Sequence, residues 1–74
     1  MEEISFALTE EFIELFKLLK VTGICESGGM AKHAIAGSEV AVDGKIETRK
    51  ACKIRHGQRV EFGGEIIRVT GKVA

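Results

Sequence analysis

The chain has 74 residues, of which 45% are hydrophobic and 30% charged, and its 11 basic residues balance 11 acidic ones. This length suits one domain, residues 1–74, with the composition of a folded globular protein rather than a disordered segment or disulfide scaffold. No signal sequence is recognisable at the N-terminus, and no apolar run approaches the roughly 20 residues of a membrane-spanning helix. We therefore expect a cytoplasmic protein without a membrane partner, in which Cys25 and Cys52 are free thiols.

The charges are unevenly distributed, although a net charge of zero is unusual for a protein that binds nucleic acid. Residues 1–16 contain five glutamates and no lysine or arginine. Residues 45–59 contain six basic residues against one acidic residue, Glu47. The sequence therefore predicts an acidic end and a separate basic segment.

A first helix is predicted to begin after Thr9, which is a good N-cap residue, and to end near Lys20. Glutamates in its first turn, Glu10 and Glu11, and lysines in its last turn, Lys17 and Lys20, suit the helix dipole. Its core-facing stripe repeats at spacings of three and four: Phe12, Leu15, Phe16 and Leu19.

A second helix is predicted from the N-cap Ser27 to about Ala36, with Gly37 in a left-handed conformation behind it. At 100° per residue, one arc of this helix is apolar and contains Met30, Ala31, Ala34 and Ile35. The opposite arc contains Gly28, Gly29, Lys32, His33 and Ala36.

The rest of the chain has the pattern of β-structure. Val40 and Val42 alternate with Ala41, and Asp43-Gly44 is a strong hairpin signal. After the hairpin, Lys45, Glu47 and Arg49 are predicted to face outward against Ile46 and Thr48. Later strands are indicated by Ile54, Val60, Phe62, Ile66, Ile67 and Val69, with breaks at His56-Gly57 and Gly63-Gly64. The predicted fold is α+β, with two N-terminal helices packed on a small, largely antiparallel sheet.

The order of these motifs resembles a known family. The matching residues are Ser27, Ala31, Ile35, Val40, Val42, Asp43 and Gly44, followed by a segment at 53–60. They are similar to the S4 RNA-binding domain, also called the alpha-L motif, and to its small stand-alone YbcJ-like subgroup, over most of the chain. The resemblance implies a non-catalytic RNA-binding module. Three positions depart from the family pattern: Gly28 stands where arginine is usual, Asp43 stands where asparagine is usual, and the glycine that usually precedes the first strand is displaced to Gly37.

Two groups of residues are candidates for RNA contact. Ser27 and Gly28 leave the start of the second helix open to a phosphate, and Lys32 lies one turn further on the same face. The basic set after the hairpin contains Lys45, Arg49, Lys50, Lys53 and Arg55. Alternatively, the glycines only permit a tight turn and the cations are simply solvated. With the resemblance, we expect a continuous basic groove that reads structured RNA, of ribosomal or transfer RNA class, through phosphate and shape.

Other functions receive less support from the sequence. A metal site or a Cys-His nucleophile would need Cys25, Cys52, His33 or His56, whose spacing fits neither. The chain lacks Tyr and Trp, and its four phenylalanines are predicted to be mostly core residues, which argues against stacking on splayed bases. We therefore predict no catalytic residue, metal, cofactor or small-molecule substrate, and a monomer that is free or part of the ribosome or another RNA-protein complex. The competing hypothesis is a protein-protein interaction adaptor.

Overall fold

Two helices and seven strands are present in the computed structural model, which describes the backbone of residues 2–71 and the side chains of residues 3–71. In chain order they are β1 (Glu2–Leu8), β2 (Phe12–Glu14), α1 (Leu15–Val21), α2 (Gly28–Ala36), β3 (Ala41–Val42), β4 (Lys45–Ile46), β5 (Lys53–Arg55), β6 (Arg59–Phe62) and β7 (Glu65–Gly71). The strands form a five-stranded sheet in the order β1-β7-β6-β3-β4 and a two-stranded ribbon of β2 and β5. The predicted α+β class is confirmed.

Strand β1 was not predicted, so the helices are not the first elements of the chain. It lies parallel to β7 at the edge of the sheet, whereas the other strand pairs are antiparallel. Its signal in the sequence is the alternation of Ile4, Phe6 and Leu8, which points these side chains to one face of the strand. Leu8 is buried in the core.

Helix α1 begins at Leu15, so the prediction of a start after Thr9 is wrong. Residues Phe12–Glu14 instead form β2 and pair with Lys53–Arg55. In this pairing Ile13 lies opposite Ile54, which is fully buried, whereas a helix would have turned Ile13 away from the apolar stripe. Burial of Ile13 through tertiary pairing therefore overrides the local helical pattern.

Helix α2 has the predicted bounds and cap. The hydroxyl of Ser27 accepts a hydrogen bond from the backbone N–H of Met30 at 3.2 Å. Three of the four residues assigned to its buried arc are buried, namely Ala31, Ala34 and Ile35. Met30, the fourth residue of the apolar arc, lies at the start of the helix and is 54% exposed.

The left-handed residue after α2 is Ser38, with φ of 62°, and not Gly37, with φ of −80°. A Cβ atom on Gly37 would lie 3.3 Å from the carbonyl oxygen of His33. Close approach of the helix backbone, rather than a positive φ, therefore favours glycine at this position.

The Asp43-Gly44 hairpin is confirmed, since both residues have positive φ, 51° and 84°. The predicted burial of Ile46 is wrong, because this residue is 59% exposed. Ile46 pairs with Ala41, on the face opposite to that of the buried Val42. Strand β4 also ends at Ile46, so the predicted alternation does not continue through residues 47–49.

Candidate nucleic-acid interface

The loop after β4, residues 47–52, is attached to the start of α1. The N–H of Leu15 donates to the carbonyl oxygen of Cys52 at 2.9 Å, and the N–H of Phe16 donates to that of Lys50 at 3.1 Å. These contacts satisfy helix donors for which α1 has no side-chain cap. The backbone of the loop is therefore held against the start of α1.

A surface cavity of about 770 Å³ lies between this loop and α2. Its charged lining consists of four of the predicted site residues, which are Lys32, Arg49, Lys50 and Lys53. Its uncharged lining consists of Ala36, Thr48, Ala51 and Cys52. The structure therefore brings residues of the two predicted groups together around one concave surface, which we call the basic cavity.

The other four predicted residues are not among those that line the basic cavity. Lys45 lies on β4, and Arg55 lies on the outer face of the β2-β5 ribbon. The hydroxyl oxygen of Ser27 accepts the cap hydrogen bond. Gly28 lies beside the ring of Phe16, so that a Cβ atom on Gly28 would be 3.9 Å from Cδ2 of that ring.

Two phenylalanines contact cations at this surface. The Nζ of Lys32 lies 4.7 Å from the ring centroid of Phe16. The ring of Phe12 has the Nζ of Lys53 at 4.9 Å and the Cζ of Arg55 at 5.5 Å. Such contacts are favourable and restrict the positions of the charged groups.

The prediction that the phenylalanines are mostly core residues holds for three of the four. All four rings are half-buried, and Phe6, Phe16 and Phe62 pack against the core while Phe12 does not. The adjacent residue Ile13, which packs against the core, could have indicated that Phe12 does not, because adjacent residues of a strand face opposite sides.

Arg49 and Glu47 form the shortest ion pair described in residues 3–71. The Nε of Arg49 donates to Oε2 of Glu47 at 2.9 Å, Nη2 donates to Oε1 at 3.2 Å, and the backbone N–H of Arg49 donates to Oε2 at 3.0 Å. The side-chain hydrogen bonds from Arg49 are the main cause that lowers the pKa of Glu47 to about 2. Glu47 therefore orients the Arg49 side chain within the loop.

The side chain of Asp43 bonds to the segment that precedes and begins β6. Its Oδ1 accepts from the backbone N–H of Arg59 at 2.9 Å, and its Oδ2 accepts from Nε2 of Gln58 at 3.2 Å. Gln58 in turn accepts from the backbone N–H of Arg55 at 2.8 Å. The hairpin is thereby tied to the strands on either side of residues 56–58.

Both cysteines are free, as predicted. Burial raises the pKa of Cys25 and that of Cys52, and the negative charge of Glu47 raises the pKa of Cys52 further. Thiols of raised pKa are poor nucleophiles at neutral pH.

Over residues 2–71, no group of three or more His, Cys, Asp or Glu side chains is arranged to hold a metal ion. No helix in the same range is long and apolar enough to cross a membrane.

Comparison with known proteins gives consistent matches. The S4 domain family model matches residues 6–70. The putative RNA-binding protein YbcJ of Escherichia coli (strain K12) is 54% identical over 57 residues, which are 77% of this chain and 81% of the relative. The probable ribosome maturation protein RlbA of Bacillus subtilis (strain 168) is 34% identical over 58 residues, or 78% of this chain and 82% of the relative.

A solved structure matches as well. The solution structure of YbcJ from E. coli, described as revealing an αL motif involved in RNA binding, aligns with a TM-score of 0.66 and 46% sequence identity. The alignment covers 96% of this chain and 89% of that chain.

Proposed function

Because the chain belongs to the S4 domain family, we propose that it is a non-catalytic protein that binds structured RNA through the basic cavity. The observation that carries this proposal is the convergence of Lys32 from α2 with Arg49, Lys50 and Lys53 from the loop and β5. The RNA-binding name of the E. coli relative and the RNA-binding motif of its structure support the same function.

The lysines of the basic cavity have charge available for a ligand. Lys32, Lys50 and Lys53 form no ion pair with any side chain of residues 3–71, and neither do Lys45 and Arg55. Lysine ammonium groups bind phosphate as point charges, and each contact releases counterions from the nucleic acid. Since the three cavity lysines come from α2, the loop 47–52 and β5, the fold fixes the spacing of their backbones, which favours a folded RNA with fixed phosphate positions.

The class of RNA and the cellular context belong to the same proposal. The ribosome maturation name of the B. subtilis relative makes ribosomal RNA the first class to examine, with transfer RNA next. We propose that the protein acts in the cytoplasm as a monomer, with the ribosome or another RNA-protein complex as its partner, and that it performs no reaction on the RNA.

The test is a titration of the purified protein with a labelled fragment of structured ribosomal RNA at low salt. The double variant Lys32→Glu, Lys50→Glu should bind at least about tenfold more weakly, because it replaces two attractive phosphate contacts by repulsive ones. The control is Lys20→Glu, a reversal at an exposed residue of α1 that does not line the cavity.

Two other results of this titration would contradict the proposal. Equal binding by wild type and the double variant would place RNA elsewhere on the molecule. If wild type binds neither ribosomal nor transfer RNA at low salt, the RNA-binding function itself is wrong and the adaptor hypothesis remains.

A further inference from the structure

Arg49 differs from the lysines of the basic cavity in how its donors are used. Its Nε and Nη2 groups donate to the two carboxylate oxygens of Glu47, which also compensates its charge. Arginine usually grips a phosphate through two donors of the same kind. The edge formed by Nε and Nη2 is therefore occupied, and the hydrogen bonds to Glu47 leave the Nη1 side of the group free.

The flat faces of the guanidinium group remain open. The side chain of Arg49 is 78% exposed although it lines the cavity, and the two bonds to Glu47 fix the orientation of its plane. Guanidinium planes, like aromatic rings, are surfaces on which unpaired RNA bases stack. In a chain without Tyr or Trp, Arg49 thus supplies a planar group at the cavity.

The uncharged lining of the cavity suits the same ligand. Ala36, Ala51 and Cys52 present small apolar groups, which match the face of a nucleobase better than a phosphodiester backbone. The volume of about 770 Å³ leaves room for one nucleotide. The lysines on the same surface are positioned for its neighbouring phosphates.

We infer that the basic cavity receives one unpaired nucleotide of a structured RNA, with its base against the plane of Arg49 and the adjacent phosphates on Lys32, Lys50 and Lys53. This inference rests on the proposed RNA-binding function and adds the feature that is recognised, a bulged or extruded nucleotide. Glu47 is then a positioning residue, because it holds the plane of Arg49 without contacting the RNA.

The experiment compares two RNA hairpins of the same stem sequence, one fully paired and one with a single bulged 2-aminopurine. Wild type should bind the bulged hairpin about five- to tenfold more tightly, and the fluorescence of the bulged base should fall as it stacks. Arg49→Lys keeps the charge and removes the plane. It should lose most of this preference and of the fluorescence change.

The matched control is Arg68→Lys, the same substitution at an arginine that also pairs with a glutamate, Glu3, but does not line the cavity. It should keep the preference of wild type for the bulged hairpin. Loss of the preference in both variants, or its retention in Arg49→Lys, would overturn the role of Arg49.

Two further results separate this inference from the function on which it rests. Equal binding of both hairpins by wild type would overturn the inference and leave RNA binding intact, whereas binding of neither at low salt would refute the proposed function. Free adenosine monophosphate offers the same kind of base and phosphate as a nucleotide within RNA. We expect that it does not compete with RNA at micromolar concentration. Competition in that range would reassign the cavity to a free nucleotide.

Discussion

At the scale of single residues, the pair of Glu47 and Arg49 accounts for the most strongly perturbed carboxylate of the described chain. Glu47 has a pKa of about 2 instead of its ordinary 4.5, chiefly because the Arg49 guanidinium donates to its ionised form. A carboxylate whose pKa is lowered on folding stabilises the fold at pH values above its ordinary pKa. This contribution is lost as the pH falls from 4.5 toward 2.

We expect the side-chain carboxyl carbon of Glu47 to show an ionised shift in NMR spectra down to about pH 3. In Arg49→Gln, which removes the charged donor, the pKa of Glu47 should return toward 4.5. A midpoint near 4.5 in wild type would contradict the bidentate pair and, with it, the fixed plane of Arg49.

At the scale of elements, the attachment of β1 depends on a close backbone contact at the end of β7. Gly71 has φ of +107°, and a Cβ atom on it would lie 2.5 Å from the backbone nitrogen of Leu8 and 2.7 Å from its carbonyl oxygen. Neither backbone atom can move without shifting β1 along its partner strand. Glycine is therefore required here for space as well as for conformation.

Gly71→Ala should lower the free energy of unfolding in urea by about 3 kcal/mol, of which about 1 kcal/mol is backbone strain and the rest the clash with β1. The control is Gly64→Ala, at φ of +83° with open space around it, which should cost only the strain, about 1 kcal/mol. Equal losses in the two variants would mean that β1 does not pack against Gly71 in solution.

The elements that could be predicted are those whose signals are local. The signals of helix α2, which are its N-cap Ser27 and its buried arc, lie within nine residues. The hairpin turn depends on only two adjacent residues, Asp43 and Gly44. The start of α1 and strand β1 could not be placed in this way, because their partners, β5 and β7, come much later in the chain. Tertiary burial determines the strand with which residues 12–14 pair, and the periodicity of the sequence alone does not reveal it.

At the scale of the whole molecule, the uneven charge distribution of the sequence indicated the basic cavity, which the net charge of zero does not reveal. Lys32 and the basic segment were found in the sequence, and four of the eight predicted residues line one cavity. Their assembly depends on the carbonyl groups of Lys50 and Cys52, which accept from α1, and sequence does not encode such backbone contacts in a readable pattern. The cation contacts of Phe12 and Phe16 were missed for the same reason.

A neutral protein can bind a polyanion when its acids neutralise cations away from the site. The described ion pairs use Lys17, Arg59 and Arg68 as well as Arg49, and they leave five cations of the predicted site unpaired: Lys32, Lys45, Lys50, Lys53 and Arg55. If all five contact phosphate, the logarithm of the RNA association constant should fall with the logarithm of salt concentration with a slope of about −4.

This slope depends on how many cations contact RNA phosphates and not on the net charge of the protein. Lys50→Gln should reduce its magnitude by about one, since one phosphate contact is removed. Lys20→Gln changes the net charge by the same amount outside the cavity and should leave the slope unchanged. A slope near zero in wild type would mean that phosphates are not the ligand. Equal changes in the two variants would mean that RNA responds to total charge and not to the arrangement of cations that α2 and the docked loop create.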